Sequence, residues 1–141
     1  MRSTSSDVGL ASQLRIAIAR SARRLRQEAG TDLSASLTAA LATVERHGPL
    51  TPSELAARER VQRPTVTRVA ARLEELGLVE RAADPGDRRS ALISVTPAGR
   101  ELLAAARTRK DAFLSERLDA LAPADRATLE RAATLLEGML E

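Results

Sequence analysis

The chain has 141 residues, a formal net charge of +3, 43% apolar and 29% charged residues, the size and balance of one soluble globular domain. It has no cysteine and a single histidine, His47, which excludes disulfides, thiol catalysis, multi-histidine or thiolate metal sites and cysteine-based redox sensing. Phe113 is the only aromatic residue, too few rings for a stacking platform on single-stranded nucleic acid.

Residues 7–28 place Leu10, Leu14, Ile18, Ser21 and Leu25 at helical spacing, and Gly30 offers a stop. A second helix, capped by Ser34 or Ser36, carries Leu37, Leu41 and Val44 and ends at His47-Gly48-Pro49, where the imidazole is expected to meet terminal carbonyls. Thr51-Pro52-Ser53-Glu54 is a capping box with proline at the first helical position. It opens a short helix with Leu55 and Ala56 inward, followed by a turn at 58–61. Gln62-Arg63-Pro64 opens a fourth helix with an inward stripe of Val66, Val69, Ala70, Leu73 and Leu76, stopped by Gly77.

Two short strands are expected next, at 78–82 and 91–95, around the turn signal Asp84-Pro85-Gly86-Asp87. Ile93 and Val95 share one face of the second strand, Leu92 and Ser94 the other. Thr96-Pro97-Ala98-Gly99 caps a long fifth helix reaching about Leu121, with Leu102, Leu103, Ala106, Phe113, Leu114, Leu118 and Leu121 in its stripe. Pro123 opens a sixth, with Leu129, Ala132, Leu136 and Leu140 in register. No apolar run approaches the roughly 18 residues of a membrane span, and the polar stretch 1–10 holds no signal-peptide core. A cytoplasmic protein without membrane contact is expected. The fold class is mainly α with a small β-hairpin wing, in the order α-α-α-α-β-β-α-α: a winged helix-turn-helix between terminal helices. Such a lobe suits double-stranded DNA, with a helix for the major groove and a hairpin tip for the adjacent minor groove.

Arginine supplies 21 of the 22 cations, Lys110 the other. A GC-rich coding sequence and a phosphate-binding surface both produce that bias. Residues 34–99 carry nine arginines against eight acids, so placement decides more than sum. Between Arg60 and Arg72 stand four arginines and no acid, with Glu74 and Glu75 beyond. The outward surface of the fourth helix is expected to hold Arg63, Thr65, Thr67, Arg68 and Arg72. Arginine at a helix start opposes the macrodipole, a cost that a bound polyanion offsets. Arg68 is placed to fork onto guanine. At the hairpin tip, Arg88 and Arg89 suit a narrow minor groove, and Asp87 is expected to pair with a nearby arginine.

Taken together, Thr-Pro-Ser-Glu-Leu-Ala at 51–56, Pro-Thr-Val-Thr-Arg at 64–68, Leu-Glu-Glu-Leu-Gly-Leu-Val-Glu-Arg at 73–81, Asp-Pro-Gly-Asp-Arg-Arg at 84–89 and Val-Thr-Pro-Ala-Gly at 95–99 resemble the MarR family of bacterial transcription regulators. The resemblance implies a homodimer whose dimer domain combines residues 1–33 and 97–141, around a DNA-binding lobe at 34–96. It implies DNA contact from Gln62, Arg63, Thr65, Thr67 and Arg68, from the wing residues Asp87 and Arg88, and at the backbone from Ser36; the placement of charge and hydroxyls adds Arg72, Arg89 and, at the backbone, Ser53 as candidates. The implied dimer interface holds Leu10, Leu14, Ile18, Phe113, Leu114, Leu129 and Leu136. Members of the family often sense small phenolic or lipophilic ligands, but here Phe113 alone is left to stack on such a ring.

The expected function is a dimeric DNA-binding regulator, most simply a repressor on a pseudo-palindromic operator, released by a small-molecule effector where one exists. No cofactor and no metal are expected. The alternative is a winged helix reused for protein interaction without DNA, which an apolar fourth helix rather than a cationic one would favour. An enzyme is not expected: dinucleotide, phosphate-loop, zinc-protease and serine-elbow motifs are all absent.

Overall fold

The computed structural model describes residues 3–141, with side chains from Asp7 onward. The elements follow the expected order: α1 (Ser3–Glu28), α2 (Ala35–His47), α3 (Pro52–Glu59), α4 (Arg63–Glu75), β1 (Val79–Asp84), β2 (Asp87–Val95), α5 (Pro97–Asp119) and α6 (Pro123–Met139). Helices α2, α3 and α4, the hairpin and the first turns of α5 enclose one core, with Leu41, Val44, Leu55, Leu73 and Ile93 at its centre.

Local chemistry explains the helix ends. Ser34, not Ser36, caps α2, its hydroxyl accepting from the Leu37 N–H at 3.2 Å. Thr51 and Glu54 form the reciprocal capping box of α3 at 3.2 and 3.3 Å. Thr51→Ala should therefore lower unfolding free energy by about 1 kcal/mol in a urea titration, with the slope of the transition unchanged.

Several ends differ from the sequence reading. Helix α3 continues through Glu59, so the turn narrows to 60–62, and Arg60 closes it in the left-handed region at φ 54°. His47 is exposed and its ring makes no hydrogen bond among the described residues; the Gly48 N–H meets the Val44 carbonyl at 2.8 Å instead. Glycine is needed at 48 for closeness, not handedness: an added Cβ would stand 2.4 Å from that carbonyl oxygen. Leu76 leaves the inward stripe of α4 and is 40% exposed, because it is the residue at which the helix ends.

The strands are longer than expected. They pair antiparallel from Val79↔Val95 to Ala83↔Ala91, and Asp84 then pairs with Asp87. Leu50 adds an isolated bridge to Ile93, with bonds of 3.0 and 2.7 Å, tying the α2–α3 connection to the base of the hairpin.

Helix α5 leaves the lobe. Leu103 is buried in its core and Ala106 is buried one turn further out, whereas Phe113 and Leu118 are half-buried and Leu114 is exposed. Helix α1 lies along the outgoing part of α5, with Ala29 at Arg109 and the Arg24 guanidinium over the Phe113 ring. Helix α6 buries none of its residues. At 1.5 Å per residue, the 23 residues of α5 span roughly 35 Å, so its outer half projects beyond the lobe's core.

Candidate nucleic-acid interface

Helix α4 is held by its inward face. Val66, Ala70 and Leu73 are buried, leaving 63, 64, 67, 68, 71 and 72 exposed, with Glu74 and Glu75 exposed at the far end. Its first turn has no acid, and Gln62 at the N-cap makes no side-chain cap bond. Of the first-turn amides only that of Arg63 is left open among the described residues, since Pro64 has none and those of Thr65 and Val66 donate to the Gln62 carbonyl at 3.0 and 3.3 Å; the guanidinium groups around this start are what attract anions. Arg60, Arg63 and Arg68 are exposed and form no ion pair among the described residues. Arg72 differs: its Nη1 lies 3.1 Å from Glu75. The pair is exposed on both sides and weak, so it can open when a phosphate competes.

The expected outward group does not all share one face. Arg63 and Thr67, four residues apart, share one side, the Thr67 hydroxyl donating to the Arg63 carbonyl at 3.1 Å, and Arg68 and Arg72 share the adjoining exposed side. Thr65 lies on neither. It is half-buried and turns toward α2, where with Ser36, Ala39, Val61 and Val69 it lines a cavity of about 330 Å³. Thr65 precedes Val69 by four residues and so shares its side of the helix. Ser36 lines the same cavity and is exposed, and Ser53 stands exposed in the first turn of α3.

The hairpin tip is built by two aspartates. Asp84 Oδ1 accepts from the Gly86 N–H at 2.9 Å, and Asp87 Oδ1 accepts from the Arg89 N–H at 2.9 Å. Asp87 makes no ion pair among the described residues, which corrects the expected arginine pairing; its carboxylate is satisfied by backbone two residues on. Between the pairs Ala83↔Ala91 and Asp84↔Asp87, β2 has residues 88–90 without cross-strand partners. This irregular stretch carries Arg88 and Arg89, both exposed. A further bond that the sequence reading missed joins the base half of the hairpin to the helix: Arg81 on β1 reaches Glu74 on α4 at 3.0 Å.

The sequence model of the MarR family matches residues 33–91. An HTH-type transcriptional regulator of Mycobacterium tuberculosis is 42% identical over 137 residues, covering 96% of each chain. The chain belongs to the MarR family. Solved structures agree with the membership. A Pseudomonas aeruginosa chain assigned to transcriptional regulators superposes with TM-score 0.90 at 34% identity, covering 98% of both chains. The apo form of Escherichia coli MarR superposes at 0.75 with 25% identity, over 94% of this chain and 97% of that one. In this MarR-family regulator the family's winged helix-turn-helix is thus α2 to β2.

The side chains expected at a dimer interface lie outside the lobe core. Leu10, Ile18, Leu114 and Leu129 are 55%, 44%, 40% and 49% exposed, and Leu14, Phe113 and Leu136 are half-buried. Among the described residues no group of three or more histidine, cysteine or acidic side chains is placed to hold a metal. No helix is long and apolar enough to cross a membrane.

Proposed function

We propose that the protein is a homodimeric, sequence-specific regulator that reads double-stranded DNA through α4 and the hairpin tip, and represses by occluding a promoter. The observation that carries this reading is the exposed, acid-free N-terminal half of α4, with Arg63, Thr67 and Arg68, at a helix start without a side-chain cap bond. In a groove, Arg68 is the base-reading side chain, Arg63 and Gln62 serve phosphates, and Arg88 and Arg89 enter the minor groove beside it. Thr65 and Ser36 act at most on the sugar–phosphate edge, since they line the cavity beside α2.

Dimer formation through residues 1–33 and 97–141 follows from the apolar surface left open there. Val8, Leu10, Ile16 and Ile18 on α1, and Leu129, Leu135 and Met139 on α6, are all exposed, more apolar surface than a monomer of this size keeps in water. A two-fold dimer presents its two α4 helices about 34 Å apart, one turn of duplex. A small-molecule effector that alters this separation would release the operator.

The test is a fluorescence-anisotropy titration against duplex from the gene's own upstream region and against an unrelated duplex of equal length, at several salt concentrations. Specific binding should exceed non-specific binding by about 1,000-fold or more, and both should weaken steeply as salt rises. Equal affinity for the two duplexes, or none, would remove the reading and leave the winged helix as a protein-interaction module.

A further inference from the structure

Two helix caps meet where the lobe joins α5. The C-terminal end of α4 closes with Gly77 in the left-handed region at φ +73°. Its N–H reaches the Glu74 carbonyl and the Leu78 N–H reaches the Leu73 carbonyl, both at 2.9 Å, the paired bonds of a Schellman ending. That ending leaves the Gly77 carbonyl pointing out of the helix, and the Thr96 hydroxyl donates to it at 2.6 Å. The Thr96 hydroxyl oxygen in turn accepts from the Gly99 N–H at 3.1 Å, capping α5. The Thr96 N–H donates to the Leu78 carbonyl at 3.0 Å. Gly99 is buried against that carbonyl, where an added Cβ would stand 2.3 Å from the oxygen.

One hydroxyl therefore closes α5 and holds the end of α4. Apolar packing of Leu103 and Leu102 keeps α5 on the lobe but is non-directional; hydrogen bonds fix angle. Helix α5 is tied again further out, Arg107 meeting Glu45 of α2 at 2.7 Å and Arg109 donating to the Ala29 carbonyl of the α1 end at 3.1 Å. We propose that Thr96 and Gly99 are positioning residues: their junction with Gly77 and Leu78 fixes the angle between α4 and α5, and so sets the half-site spacing that the dimer accepts. The second clause rests on the DNA-binding reading above; the first does not.

Thr96→Asp separates the two duties of the hydroxyl. Aspartate is a good N-cap acceptor for α5 but has no proton for the Gly77 carbonyl. Thr96→Ser keeps both. Gly99→Ala reaches the junction by another route, pushing α5 from the Leu78 carbonyl. Because the chain has no cysteine, the exposed pair Ala71→Cys on α4 and Ala104→Cys on α5 can carry spin labels, with labelled chain diluted into unlabelled. The parent and Thr96→Ser should give one narrow label distance. Thr96→Asp and Gly99→Ala should broaden or shift it while the thermal transition stays cooperative.

In the second arm, a duplex selected by the parent from a random library is lengthened or shortened by one base pair at its centre. The parent should discriminate by about tenfold, and the two variants by less than about threefold, with the salt dependence unchanged. Parent-like label distances and parent-like spacing discrimination in Thr96→Asp would overturn the proposal. Should one variant fail to fold, the other decides by the same two readouts. A parent that selects no duplex removes the DNA reading, and the label distances then judge the junction by themselves.

Discussion

Aspartate at Leu129 and Leu136 together should leave the protein monomeric and weaken its binding to a two-half-site duplex by about 100-fold or more. Leu129 is 49% exposed and α6 has no buried residue, so these side chains contribute little to the lobe's own core. In a dimer each would be covered in both copies. Covering a leucine stabilises by about 1.5–3 kcal/mol, and a carboxylate there must be stripped of water without a partner. The lobe should remain folded, because its core residues Leu41, Leu55, Leu73 and Ile93 lie in other elements. Sedimentation gives the mass, and anisotropy on single and paired half-sites gives the affinity. A double variant that stays dimeric would place the interface elsewhere, whereas a monomer with undiminished affinity for the paired site would remove the two-helix reading.

The architecture was legible where local chemistry decides it. Thr51 with Glu54, Thr96 before Pro97, and Gly77 after an apolar stripe each mark an end through bonds made within a few residues, and the helices begin and stop there. Features that depend on distant partners were not legible. The Leu50 bridge joins residues 43 apart to close the base of the hairpin, and no periodicity announces a single bridging residue. Asp87 was read by charge alone, as a partner for arginine, while its short side chain turned back to the Arg89 N–H. A wheel with Val66, Val69, Ala70 and Leu73 inward assigns Thr65 to the outward side with the arginines, whereas its spacing of four from Val69 carries it to the half-buried side of that residue. The cationic surface survives this correction because Arg63 with Thr67 and Arg68 with Arg72 are each spaced by four, and none of them packs inward. The junction at Thr96 was half legible: its N-cap role is written in Thr-Pro-Ala-Gly, whereas its bond to Gly77, 19 residues earlier, exists only in the fold.

Arg68→Ala and Arg88→Ala should both weaken duplex binding, but in distinguishable ways. Arg68 is exposed in the second turn of α4, with no ion pair among the described residues to hold it back from a base. Loss of a bidentate guanine contact costs about 1–3 kcal/mol, and the loss should be confined to the correct base pair. The preferred sequence of Arg68→Ala should therefore relax at one position of each half-site, while most of the salt dependence remains. Arg88 sits in the unpaired stretch of β2, where the two aspartate bonds set the tip's shape and leave the guanidinium exposed. There it would meet the minor-groove potential rather than a distinctive base edge. Arg88→Ala should weaken binding to all sequences by similar factors and reduce the slope of log affinity against log salt by about one per chain. Arg131→Ala on α6, distant in sequence from both elements and exposed, is the control and should change neither quantity. Sequence preference measured on single-base-pair variants of the selected duplex, together with the salt slope, separates the cases. If Arg68→Ala lowers the slope while leaving the preference intact, it is a phosphate contact, and base reading passes to the remaining exposed side chains of the same surface, Gln62, Arg63 and Thr67.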